Sequence, residues 1–152
     1  MEQILQKQER VIQLTEHYLN RFGKVMIGIY YLPPLDDNFK FGIFINSLLV
    51  ILRRLDLMPE YYWFLESSGG HYLILFVSGY FRNDLSEITP VICRLWGIQN
   101  SNRITVIDSI SISTENPEYG KERLRQFLYS HGLSQTITTN WHQRTFGCSR
   151  LT

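Results

Sequence analysis

Apolar residues along this chain fall into alternating helical and strand-like periods. From Glu2 to Phe22, Ile4, Leu5, Val11, Ile12, Tyr18, Leu19 and Phe22 recur at helical spacing between Gln, Lys, Glu and Arg, and Gly23 follows as a stop. Lys24–Leu32 (KVMIGIYYL) is a β-branched and aromatic run closed by Pro33-Pro34, which predicts a strand. Residues 33–38 read as a loop, and Phe39–Leu57 returns to a spacing of three and four, with Arg53-Arg54 near its end. Tyr61–Val77 then places two runs of strand formers around Ser67-Ser68-Gly69-Gly70, the signature of a β-hairpin. Its second arm, Tyr72–Val77, is apolar almost throughout, so it belongs in the middle of a sheet with both faces covered.

Beyond the hairpin, residues 79–83 suggest a turn, and Ser86 is placed to cap a helix that carries Pro90 in its first turn and stops at Gly97 after Trp96. Arg103–Ile112 (RITVIDSISI) predicts another strand, and Asn116-Pro117 opens a charged helix from Glu118 to about His131, broken by Gly132. Residues 134–152 carry no period and read as a polar, irregular tail. With no repeat or linker, residues 1–152 form one α+β domain in which helices pack on an antiparallel sheet.

Composition sharpens this picture at a few points. A chain of 152 residues with 44% hydrophobic content can bury a sizeable core. Nine Tyr, nine Phe and three Trp exceed what that core needs, which favours some aromatic surface for binding. A formal charge of +1 lacks the basic surplus of a dedicated nucleic-acid binder. Cys93 and Cys148 offer neither a disulfide framework nor zinc spacing, and with no signal peptide or apolar run of membrane length the expectation is a cytoplasmic protein with free thiols.

Candidate chemistry sits at the hairpin. Glu66 closes the first arm and His71 opens the second, so the short turn brings both to one end of the sheet. Either they share a metal ion or a proton, or they are exposed strand-end residues. Arg53, Arg54, Arg123, Arg125, Arg144 and Arg150, with Trp141 beside His142, form a second set that suits phosphate or partner contacts, or ordinary ion pairing with the 14 acidic residues.

The hairpin, the first strand and the segment Arg144–Arg150 (RTFGCSR) together resemble the YagK/YfjJ C-terminal domain family of inovirus-type replication proteins, over roughly residues 20–150. That family is similar to the rolling-circle initiators known as HUH endonucleases, and the resemblance implies a Rep-like palm of the ferredoxin or RRM type. It also implies a nicking centre: two histidines flanking one apolar residue on a strand hold a divalent metal, and a tyrosine on a later helix attacks the phosphodiester, with a lysine one turn on. This chain departs from the pattern where the chemistry would occur. His71 matches the first histidine, but Leu73 stands at the second. The Tyr-Leu-Ala-Lys segment falls on Gly132-Leu133-Ser134-Gln135, which removes both nucleophile and lysine. Tyr129, one turn before Gly132, reads either as a displaced nucleophile with His71 and Glu66 as metal ligands or, the reading favoured here, as an ordinary partly buried aromatic beside Phe127 and Leu128.

The resemblance therefore implies a catalytically inactive phage or mobile-element protein that acts by binding in the host bacterial cytoplasm. Its expected target is a host nucleoprotein or defence complex, in the manner of an anti-CRISPR inhibitor, with no cofactor and no membrane. The alternatives are a nicking initiator using Mg or Mn, or a replication accessory that binds single-stranded DNA without cutting it.

Overall fold

The computed structural model describes residues 2–33, 41–66, 69–78, 85–99, 104–132 and 146–148. It opens with helix α1 (Glu2–Phe22), which buries Val11, Leu14, Thr15, Tyr18 and Leu19 along one stripe. Gly23 ends it as expected: at φ +75° its N–H bonds the Leu19 carbonyl at 2.9 Å, a left-handed cap that glycine adopts without a Cβ penalty.

Strand β1 (Lys24–Leu32) follows directly, and helix α2 (Phe41–Arg54) comes next, burying Phe44, Ile45, Leu48, Leu49 and Leu52. The helix was expected to reach Leu57. It stops at Arg54, because the chain turns through Asp56 (φ +56°) and Met58 (φ +48°) to drop Leu57 into the core.

Strands β2 (Glu60–Leu65) and β3 (His71–Ser78) are the two arms of the hairpin. Helix α3 (Ile88–Gln99) starts after a turn in which the Ile88 and Thr89 amides bond the Leu85 carbonyl, and Gly97 lies within it where a stop had been expected. An internal glycine weakens a helix by about 1 kcal/mol and does not by itself end one. Strand β4 (Thr105–Ser113) and helix α4 (Pro117–Phe127) complete the main body, and α4 continues into a π-helical turn, Leu128–Gly132. The tail expected to be wholly irregular contributes a short strand, β5 (Phe146–Cys148).

The strands form one antiparallel sheet in the order β4-β1-β3-β2-β5. Strand β3 lies between β1 and β2, the central position its apolar run required. A register shift at Ile29/Tyr30 leaves Ile107 as the extra residue of a bulge in β4.

Side-chain alternation divides the core in two. Under α2 and α3, Met26, Tyr30, Trp63, Leu73, Leu75 and Val77 meet Phe44, Leu48, Ile92 and Trp96. On the other face, Ile27, Ile29, Tyr62, Phe64, Ile74 and Phe76 meet α1 and α4 through Leu14, Tyr18, Leu124 and Phe127. The α+β reading holds: four helices pack on an antiparallel sheet, two to each face. Close approach of α4 to β4 depends on Gly120, where a Cβ would run into Ile112. Among the described residues no helix is long and apolar enough to cross a membrane.

Candidate functional site

The hairpin end is where sequence and resemblance both placed chemistry, and its register decides what can meet there. Leu65 pairs with His71, and one step further the Glu66 N–H bonds the Gly70 carbonyl at 2.7 Å. Side chains alternate across a strand, so consecutive positions point to opposite faces. His71 falls on the face of Leu73 and Leu75, under α2 and α3, whereas Glu66 falls on the face of Tyr62 and Phe64. The two residues share an end of the sheet, as expected, but not a side of it. A metal ion held jointly by Glu66 and His71 has no place in this geometry.

His71 is instead built into an aromatic wall. Its ring stacks on Phe41 at 4.3 Å with only 5° between planes, and Trp63 and Trp96 lie 5.4 and 6.4 Å away. Nδ1 is buried with no hydrogen-bond partner among the described residues. Burial drives the imidazole down from 6.5 to about 4, because a charged ring would lose its hydration with nothing to replace it. At neutral pH it behaves as an uncharged aromatic. Leu73, where the resemblance would put a second histidine, is fully buried in the same core and contributes packing. Among the described residues no three His, Cys, Asp or Glu side chains come together as a metal set.

The opposite face of the same hairpin gathers a cluster that was not foreseen. Tyr31 donates a hydrogen bond to Glu66 Oε2 at 3.0 Å, and its ring lies 5.2 Å from Tyr72. Tyr72 in turn meets Phe64, Phe127 and His131, the last at 5.3 Å edge to face. His131 stacks on Phe127 at 4.6 Å and places Nδ1 3.1 Å from the Phe127 carbonyl, a position that the π-helical turn gives it. Gly70 makes room for this arrangement, since a Cβ there would collide with the Tyr31 ring and hydroxyl. Desolvation first, then Glu66 and Tyr31, raise the Tyr72 phenol, so it stays a neutral donor. The sequence signal was available but faint: period-two counting from Glu66 and Tyr72 puts them on one face, while nothing local announces a π turn.

Tyr129, considered above as a displaced nucleophile, is 64% exposed and lines a surface depression with Glu122, Arg125, Gln126 and Ser130. It belongs to the α1/α4 side of the sheet, while His71 lies under α2 and α3, so the two cannot act on one phosphate. Gly132 closes the π turn, and Gln135 lies outside the described residues.

The arginines separate into two kinds. Arg123 is paired with Asp108, and Arg125 lies 3.5 Å from Glu122 and 3.9 Å from Glu118. Arg53 and Arg54 are exposed in the last turn of α2, without an ion pair among the described residues. Trp141, Arg144 and Arg150 lie outside the described residues, as does all of RTFGCSR except the three residues of β5. Cys93 is an exposed free thiol on α3.

No family model, curated protein or solved structure matches this chain.

Proposed function

We propose that this chain is a Rep-related domain that works by binding and does not cut DNA, and that it serves a mobile element by inhibiting a host nucleic-acid-dependent defence complex. The element order supports the Rep-like palm. The units β1-α2-β2 and β3-α3-β4 interleave so that β1 and β3 are central, which is the split β-α-β connectivity of ferredoxin-like sheets. Such a sheet hosts many activities, so the argument for function rests on the site.

One observation carries the reading. A metal-assisted nick needs a divalent ion held by at least two side chains, and a phenol aimed at the phosphate beside it. Here the inherited histidine is stacked on Phe41 as a neutral ring, Glu66 lies across the sheet from it, and Leu73 fills the remaining ligand position with hydrocarbon. Losing the chemistry while retaining a well-packed palm is the pattern expected of a protein kept for its surface. Near-neutral charge fits a partner more complex than bare nucleic acid.

Two measurements test it. Purified protein incubated with single-stranded DNA and Mn²⁺ should form no covalent adduct, and an adduct abolished by Tyr129→Phe would overturn the proposal. Expression of the chain in bacteria armed with individual CRISPR effectors should restore transformation by a targeted plasmid for at least one effector. Unchanged interference across the panel removes the inhibitor assignment.

A further inference from the structure

The geometry points to an anion-recognition cleft between the C-terminal ends of α1 and α2, suited to a carboxylate-bearing segment of a partner protein. The cleft has a volume of about 160 Å³ and is lined by His17, Tyr18 and Arg21 of α1, Arg53 of α2, and the link Met58–Glu60. His17 and Arg21 are four residues apart and so share one face of α1. Arg53 approaches from the last turn of α2.

Arginines at helix C-termini commonly serve to satisfy the final carbonyls. Neither arginine does so here, and the backbone satisfies several of those carbonyls itself. The Gly23 amide takes the Leu19 carbonyl, Leu55 takes Ile51, Leu57 takes Leu52 and Asp56 takes Arg53. Neither Arg21 nor Arg53 makes an ion pair or a hydrogen bond among the described residues; Arg21 only rests over the Phe22 ring at 5.1 Å. The basic residues of α4 differ sharply, for Lys121, Arg123 and Arg125 each have a carboxylate. Two guanidinium forks therefore face one small cleft with their donors unspent, the arrangement that binds a carboxylate in bidentate fashion.

The floor and rim are held in place. The single Tyr18 O–H is shared between the Met58 and Phe76 carbonyls, and the Ser78 amide bonds the Leu57 carbonyl at 2.8 Å. Burial, then the Glu60 carboxylate, push the Tyr18 phenol far up, so it stays a donor. These bonds hold two non-glycine residues, Asp56 and Met58, in the left-handed region, which costs of order 1–3 kcal/mol each. The strained link turns Met58 outward, about half exposed at the cleft.

Two features favour an acidic protein segment over a nucleic-acid backbone, while Glu60 in the wall opposes any anion and is outweighed by the pair of guanidinium groups. The volume suits one side chain and falls below the range of pockets that enclose larger ligands. Met58 on the rim asks for hydrocarbon next to the charge, and Arg with Met is a pairing enriched at protein interfaces. The inference rests on the binding reading in taking the occupant to be a protein.

The test is an NMR titration of the full chain with three probes: a blocked peptide alternating glutamate and leucine, an oligothymidylate, and inorganic phosphate. The peptide should shift the amides of residues 17–22 and 53–60 saturably. Its affinity should fall by about tenfold or more in the Arg21→Ala/Arg53→Ala double variant and hold in Arg125→Ala. Both removed side chains are exposed, so the double variant should keep the parent melting temperature. An absent or non-saturable shift, or a double variant that binds like the parent, overturns the cleft. Stronger binding of oligothymidylate transfers it to nucleic acid and overturns the protein occupant, and phosphate matching the peptide leaves an adventitious anion only. If the peptide binds while plasmid interference is unchanged, the cleft stands and the choice of target falls.

Discussion

The two faces of the sheet treat their polar residues in opposite ways. Under α2 and α3, His71 is desolvated, stacked and neutral, one more ring in a wall with Phe41, Trp63 and Trp96. Under α1 and α4, Glu66, Tyr31, Tyr72 and His131 keep their polar ends and meet one another at the margin of the core. Only four residues separate Glu66 from His71, yet they belong to different environments. Adjacency across a hairpin brings residues to one end of a sheet, while the two-residue period of the strand decides which of them can cooperate.

The largest test of this contrast is Leu73→His, which supplies the second histidine that the resemblance would call for. Because residue 73 is fully buried under α2, the expected outcome is a loss of about 3–5 kcal/mol in denaturant unfolding and no Mn²⁺ binding by calorimetry. A stable variant that binds Mn²⁺ would mean that this face is more open than described.

Next comes pH. His71 titrates at about 4 in the folded chain against 6.5 ordinarily, so the unfolded chain takes up its proton first as pH falls. The stabilisation is complete above 6.5 and fades as pH drops toward 4, by at most about 3 kcal/mol. His71→Leu should flatten that acid limb in melts followed from pH 7 to 4. An unaltered limb would place the titration elsewhere.

On the other face the expected effect is smaller. Tyr31→Phe removes one hydrogen bond from a partly buried carboxylate, and about 0.5–1.5 kcal/mol should be lost in the same unfolding assay. An effect as large as that of Leu73→His would show that Glu66 is far more buried than its neighbours indicate.

Much of the framework was legible in the chain. The boundaries of α1 and β1 follow from periodicity and from Gly23, and the central place of β3 follows from its apolar run, because only a strand covered on both sides can be that uniform. What escaped were features set by tertiary context. Gly97 stays within its helix, and Leu57 leaves the helical path because the core claims its side chain. Phe146–Cys148 is too short to show any period and becomes a strand only because β2 offers an edge. At the site, the shared end of Glu66 and His71 was foreseen but their opposite faces were not. That outcome depends on pairing Leu65 with His71, and a one-residue slip would reverse it.

The pairing of β5 with β2 has a temporal side. Tyr62 finds Cys148 across more than half the length of the chain, a separation comparable to that between β1 and β4. Loop closure over that span is slow compared with the neighbouring hairpin. During synthesis, the aromatic strand Glu60–Leu65 therefore spends its early life with one backbone flank bare, until residues 146–148 leave the ribosome and dock. The newborn chain is open to misassembly along that flank in the interval, and a three-residue segment brings it to an end.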